Sequence, residues 1–235
     1  MTVAWFSHPA SDGHITPDGH PERVARMQAV AQALAPLPLI RHEAPLAAKA
    51  DLLRCHPQRY LDRLRAAEPA EGIVGLDPDT WMSPGTLQAA MRAAGGTCAA
   101  VDLVLSGGAR SAFVGCRPPG HHAEREKPMG FCLFGSVAIA AKRALDHHGL
   151  SRVAVVDFDV HHGNGTQDLL WDESRALFVS SHQMPLYPGT GAADERGAHG
   201  QILNVPLHPG SDGAAMRAAY EAQVFPRIDA FAPEL

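Results

Sequence analysis

The stretch Val153-Ala-Val-Val-Asp-Phe-Asp-Val-His-His-Gly-Asn-Gly-Thr166 narrows what this chain can fold into more than any other. Four small apolar residues, mostly β-branched and without a polar break, read as a buried strand. Asp157, Asp159 and His161 then follow at i, i+2 and i+4. Alternate strand side chains share a face, so continued extended geometry would point all three the same way. Two carboxylates and an imidazole at the end of a buried strand are costly without a partner. A divalent metal is the obvious one, and Asp-x-His supplies two ligands suited to zinc. Gly163 and Gly165 allow a sharp turn, and Thr166 is expected to cap a short helix through Leu170. The plainer alternative is a strand end with solvated acids, and the tight polar cluster behind an apolar run argues against it.

The remaining composition excludes several classes. At 235 residues a single domain with a sizeable core is the default. Hydrophobic content of 46% against 19% charged argues against disorder. A net charge of −5 without a basic block argues against general nucleic-acid binding. No apolar run reaches membrane-spanning length, and Met1 to His8 reads as a first strand rather than a signal peptide. Cys55, Cys98, Cys116 and Cys132 show no C-x-x-C spacing, so reduced, mostly buried thiols in a cytoplasmic protein are expected.

In chain order, a polar loop from His8 to His20 precedes a helix expected from Pro21 to about Leu34, with Glu22 near its positive end. Pro38 to His42 reads as a short strand, 47–54 and 57–67 as short helices, and 69–82 as a surface loop. Ser83-Pro84 reads as the start of an alanine-rich helix to about Leu105, in which Gly95-Gly96 marks close packing or a kink. A strand at Ala112–Cys116, a helix over 134–148, strands at 176–180 and 202–207, and a helix over about 212–231 complete the pattern. Strands alternating with helices imply right-handed βαβ units and a parallel sheet, with ligands at the strands' carboxyl ends. Polar clusters follow three strands, at His121-His122, Asp157–Asn164 and Ser180-Ser181-His182, which points to one site.

Three His-His pairs need separate readings. His147-His148 sits in a last helical turn, where the dipole favours histidine, and reads as structural. His121-His122 follows Pro118-Pro119-Gly120, which fixes and then turns the backbone, and suits proton transfer near neutral pH. His162 points away from His161 on an extended chain and reads as a supporting or packing residue.

Together, Arg117-Pro-Pro-Gly-His-His-Ala, Gly130-Phe-Cys and Val156-Asp-Phe-Asp-Val-His-His-Gly-Asn-Gly-Thr resemble the zinc-dependent histone deacetylase superfamily in identity, order and spacing. His20-Pro-Glu-Arg, Asp79-Thr-Trp-Met-Ser-Pro-Gly and Pro188-Gly-Thr-Gly extend the resemblance over essentially the whole chain. Asn164, where class I members carry aspartate, leans it toward the class II and bacterial acetylpolyamine amidohydrolase-like branch.

The resemblance implies an α/β fold of the three-layer arginase/deacetylase type, a central parallel β-sheet flanked by helices. It implies one Zn2+ per chain, a structural K+, and removal of acetyl groups from acetyl-lysine or acetylated polyamines; the charge and the lack of a long apolar run, not the resemblance, argue against a nucleic-acid or membrane partner. Asp159 and His161 resemble two of three zinc ligands, and His121 and His122 the tandem proton-transfer histidines. Asp157 resembles the carboxylate that orients the first histidine and shares a monovalent-cation site with Ser180; Asn164 resembles the partner of His122. Gly130 and Phe131 resemble one tunnel wall, Tyr187 the opposing aromatic, and Arg26 a basic residue of an acetate pocket. Asp77 and Asp79 fall in a rim loop that contacts substrate in the family.

The family's third zinc ligand, an aspartate in Gly-Phe-Asp, and its oxyanion tyrosine, in Gly-Gly-Tyr, have no match in 1–235. The chain is therefore expected to be a single catalytic domain that is C-terminally incomplete, with Val224, Phe225, Ile228 and Phe231 lacking full cover. His182, Asp194 and Glu195 are in-chain candidates for the missing ligand, but no spacing recommends them. Two rival readings are a non-catalytic relative that binds acylated ligands, and a binuclear manganese ureohydrolase. The latter wants Asp-x-His-x-Asp, where this chain has Gly163.

Overall fold

The computed structural model describes residues 2–235, and the chain divides into two compact units, Met1–Ala140 and Ala141–Leu235. Both are built on three parallel strands, the α/β arrangement that the alternating pattern implies.

In the first unit β1 (Val3–Ser7) is central. It pairs with β2 (Leu39–Glu43) on one side and, beyond a long crossover, with Ser111–Val114 on the other. Between them run α1 (Ala10–Gly13), α2 (Ala25–Leu34), α3 (Lys49–Leu52), α4 (Gln58–Ala67), a hairpin of β3 (Val74–Gly75) and β4 (Trp81–Met82), and α5 (Thr86–Leu105); Ser111–Val114 is β5. Ala4, Phe6, Ala44, Ala100 and Ala109 form a core on one sheet face, joined by Leu103 and Val114. The glycine pair in α5 marks close packing, not a kink. A Cβ on Gly95 would run into the backbone of Pro45 to Ala47, and one on Gly96 would lie 2.8 Å from the Ala44 methyl.

Several boundaries differ from the sequence reading for identifiable reasons. The helix expected from Pro21 starts at Ala25, because Glu22 is pulled inward by Arg117. Ser83 does not cap α5, which starts at Thr86 after Gly85 at φ +90°. Its hydroxyl instead donates to Gly13 O and accepts from Ile15 N–H. The expected loop over 69–82 contains the β3–β4 hairpin, whose two-residue strands leave no periodicity to read.

α6 (Ser136–Asp146) spans the division between the units. The second unit orders its strands β6 (Val153–Asp157), β7 (Ala176–Gln183) and β8 (Ile202–Leu207) side by side, with α7 (Asn164–Leu170) between the first two. The buried strand is β7, covered from Ala176 to His182; in β6 only Val153 is fully buried. β7 pairs on both sides, whereas beyond β6 the Ala154 N–H reaches Leu235 O. Thr166 does not cap α7: Asn164 N–H closes a turn on His162 O, and the helix starts there.

The expected last helix is interrupted. α8 (Gly213–Ala219), capped by the Asp212 carboxylate, and α9 (Phe225–Phe231) flank a π-helical turn over Tyr220–Val224. Phe225 N–H bonds to Tyr220 O, and the next residue, Pro226, has no N–H to resume the regular ladder. Val224 is fully buried against Leu177, Val179 and Val205, with Ile228 and Phe231 packed beside it. Of the four side chains expected to lack cover, only Phe225 is exposed.

Candidate functional site

In the first unit the tandem histidines sit in a tightly braced loop. Arg117 is 1% exposed and donates through Nη2 to Glu22 Oε2 at 2.6 Å, with Nε on the other carboxylate oxygen. Its Nη1 reaches the carbonyls of Ser11 and His14, at 2.8 and 2.9 Å. This buried fork fixes the start of Pro118-Pro119-Gly120, and the His121 and His122 rings follow with centroids 3.9 Å apart. His122 is buried, and its backbone N–H points at the Cys132 thiol, which donates to Gly130 O.

Gly130 is required by contact as well as by conformation. It lies at φ +55°, and a Cβ there would penetrate the His122 ring. Phe131 follows at φ +70°, a conformation that is costly for a bulky side chain and typical of functional sites. Its N–H is held by Thr80 Oγ1 at 3.0 Å, and the His20 ring meets its ring edge-on at 4.7 Å. His20 Nε2 in turn bonds to Asp79 O. Burial and the Asp77 carboxylate raise the pKa of Asp79, while Asp77 accepts the N–H groups of Asp79 and Thr80. Arg26 lies half exposed on α2, 3.6 Å from Glu22.

His56 braces this unit from below. Gly135 N–H donates to its Nε2, so the proton is on Nδ1, which donates to Arg125 O at 3.0 Å. The fully buried imidazole thus ties down both ends of the segment that carries Gly130 and Phe131. Sequence reading missed His56, and no local pattern marks it. It also missed the pairing of Glu22 with Arg117, although both lie in motifs that carry the family resemblance.

In the second unit the extended geometry stops at Asp157. The Asp157 carboxylate accepts Asp159 N–H at 3.1 Å, and the Asp159 carboxylate accepts His161 N–H at 2.8 Å. The three side chains are therefore arranged by two side-chain-to-backbone turns and not by strand alternation. Asp159 Oδ1 and His161 Nδ1 lie 3.1 Å apart. Two neighbouring donors on a tetrahedral zinc are separated by about 3.3 Å, so the pair fits two positions on one ion. Among the described residues no group of three or more His, Cys, Asp or Glu side chains is gathered as a metal site.

The β6–β7 register sets Asp157 beside Ser180, whose hydroxyl meets His182 Nδ1 at 3.0 Å. Asn164 is buried at the start of α7. The Tyr187 ring stands edge-on to His161 with centroids 6.1 Å apart. His162 is buried, and burial together with His182 pushes its pKa down to about 4, so it is a neutral hydrogen-bonding residue. Glu195 is engaged by Gln167, Gly191 and Ala192. Gly163 has no room for a side chain, since a Cβ would strike the Asp157 carboxylate. Cys55, Cys98 and Cys132 are buried and Cys116 is half-buried. Among the described residues no helix is long and apolar enough to cross a membrane.

The chain is 45% identical to an uncharacterised protein of Synechocystis over 94% of its own length and 75% of that protein's. It is 40% identical to the histone deacetylase-like amidohydrolase of Pseudomonas aeruginosa, covering 98% of this chain and 61% of the relative. It is 36% identical to the chloroplastic histone deacetylase 10 of rice, covering 99% and 57%. The chain thus spans about three-fifths of the latter two. The crystal structure of the HDA15 HD domain superimposes with a TM-score of 0.92 at 32% identity, over 99% of this chain and 69% of that one. The histone deacetylase domain matches residues 20–235, and the chain belongs to that family.

Proposed function

We propose that the protein is a zinc-dependent deacetylase that hydrolyses the amide of acetyl-lysine or of an acetylated polyamine. The observation that carries the reading is the paired imidazoles of His121 and His122, packed on a glycine that admits no side chain. Asp159 and His161 would hold the metal. When bound, zinc supplies a Lewis acid for the acetyl carbonyl and lowers the pKa of water. His122, with or without His121, takes the proton of the attacking water on an imidazole nitrogen and returns one to the leaving amine. The family resemblance assigns Asp157 and Asn164 supporting roles in proton transfer, and Asp157 with Ser180 a monovalent cation. The resemblance further assigns Phe131 and Tyr187 to substrate contact and Arg26 to departing acetate. Steric exclusion at Gly163 supports this reading over a binuclear ureohydrolase, whose second carboxylate would stand there.

The test is a panel of acetyl-lysine peptides and N-acetylated polyamines, assayed alongside metal analysis of the purified protein. On the full-length protein, one zinc per chain and turnover of at least one class are expected. Two manganese ions, or one zinc with no turnover of any acetylated amine, would overturn the proposal. A readout of the preferred class also separates a small-molecule role from a protein-directed one.

A further inference from the structure

Next to the Asp159–His161 pair in sequence, within the second unit, runs a polar chain that is buried at His162, Gln167 and Asn204 and reaches the surface at Glu195 and Thr190. Glu195 Oε1 accepts the N–H groups of Gly191 and Ala192, at 3.1 and 3.0 Å. Its Oε2 accepts from Gln167 Nε2 at 2.5 Å. A carboxylate offers only acceptors, so it fixes which way the Gln167 amide faces. Gln167 Oε1 must then point the other way, where it meets Asn204 Nδ2 at 2.7 Å and His162 Nε2 at 3.1 Å. His162 Nε2 is therefore the protonated nitrogen. Its Nδ1 is left to accept from the Thr190 hydroxyl at 2.8 Å. The carboxylate sets this polarity together with the Asn204 amide, whose Nδ2 also faces the Ala192 and Glu195 carbonyls at 3.4 and 3.3 Å, and the tautomer of His162, which the carboxylate does not touch, follows.

This series touches the proposed metal segment at two places. His162 is the neighbour of His161, and Thr190 lies three residues beyond Tyr187, whose ring faces His161. The turn between them has no slack. Gly191 is at φ +93°, and a Cβ there would lie 2.5 Å from His182 Nε2 and 2.6 Å from the His162 ring. We propose that Glu195 is a positioning residue for the metal segment, acting through the Gln167 amide on His162 and on the turn at Thr190. The proposal rests on Asp159 and His161 being metal ligands, and it assigns Glu195 a role other than ligation.

The test transposes the acid and the amide in the full chain. Glu195→Gln forces donor against donor somewhere in the series. If Gln167 turns over to relieve it, His162 Nε2 becomes an acceptor and the proton moves to Nδ1. Adding Gln167→Glu restores every bond, because the amide introduced at position 195 donates to a carboxylate at position 167 that still accepts from His162 and Asn204. Three measurements read the outcome: the His162 tautomer by 15N NMR of histidine-labelled protein, zinc affinity by chelator competition, and turnover. Glu195→Gln should lose the single Nε2–H tautomer and about 10- to 100-fold in zinc affinity or turnover, as outer partners of metal ligands do. The transposed pair should recover both to within about threefold. If Glu195→Gln does not fold, the transposed pair alone decides, since its complete hydrogen bonding predicts a native tautomer and native zinc affinity. Wild-type protein that binds zinc while Glu195→Gln matches it in tautomer and affinity would overturn the proposal, as would a transposed pair that stays impaired. Wild-type protein that binds no zinc fails at the metal reading instead, and takes this proposal with it.

Discussion

Glu22 and Arg117 lie 95 positions apart and meet as a bidentate ion pair with neither side chain more than 1% exposed. His14 adds its Nε2 at 3.4 Å from the same carboxylate. Removing one partner strands a buried charge, which typically costs about 3–5 kcal/mol. Arg117→Ala should destabilise the protein by that amount in urea denaturation. The double variant Glu22→Leu/Arg117→Met should be less destabilised than Arg117→Ala, and equal or greater loss would contradict the stranded-charge account.

The same pair predicts an acid sensitivity. Burial alone raises the Glu22 pKa, but hydrogen bonds and charge from His14 and Arg117 outweigh it and hold the carboxyl at about 2 instead of 4.5. A folded pKa below the unfolded one gives stability that is fully present above pH 4.5 and is lost as pH falls toward 2. The loss should be about 3 kcal/mol. Glu22→Gln should flatten that part of the stability-versus-pH curve, measured from about pH 6 down to the folded-state pKa.

Gly130→Ala should disturb both backbone and site. Its φ of +55° disfavours alanine, and the new methyl would push the His122 ring aside. A displacement of that order can cost about 10²-fold in rate, and the strain should add at least ~1 kcal/mol of destabilisation. Unchanged turnover would mean that the His122 ring position does not matter to the reaction.

His122→Ala should lower kcat by ~10²–10⁴-fold, the range for a general acid–base group. Zinc content should be unaffected, because the ligand pair lies elsewhere in the chain. Near-normal turnover would remove His122 from the mechanism.

Asp159→Ala or His161→Ala should abolish stoichiometric zinc while the fold survives, read as an unchanged far-UV circular dichroism spectrum. The side chains are 49% and 38% exposed, so truncating either opens no cavity. Retention of one zinc by either variant would sink the ligand assignment.

How much of this was legible in the sequence depends on the range of the interaction concerned. The strands at Val3–Ser7, Leu39–Glu43 and Ile202–Leu207, the long α5, and the close approach at Gly95-Gly96 were readable because apolar runs and punctuating glycines are local signals. The side-chain sets around His121-His122 and Asp159–His161 were readable through motif spacing. What was hidden is set by distant partners. Glu22 leaves its helix for an arginine 95 residues on, Ser83 spends its hydroxyl on Gly13 and Ile15 instead of a cap, and Glu195 gains meaning only beside Gln167. The π-helical turn was a local signal overlooked, since Pro226 stood in the expected helix.

The two turns at Asp157 and Asp159 bear on how fast a metal could be captured. In each, a carboxylate oxygen holds the main chain two residues ahead, so Asp159 and His161 are oriented by the polypeptide itself. An arriving ion then meets a segment whose main chain is already set, with no loop to order first. Loading should be a single fast phase proportional to ion concentration, and stripping with a chelator should leave circular dichroism unchanged. That behaviour is opposite to small zinc-dependent folds, where binding and folding are one event. In such a site the exchange rate belongs to the solvent and the ion, and the chain acts as a standing template.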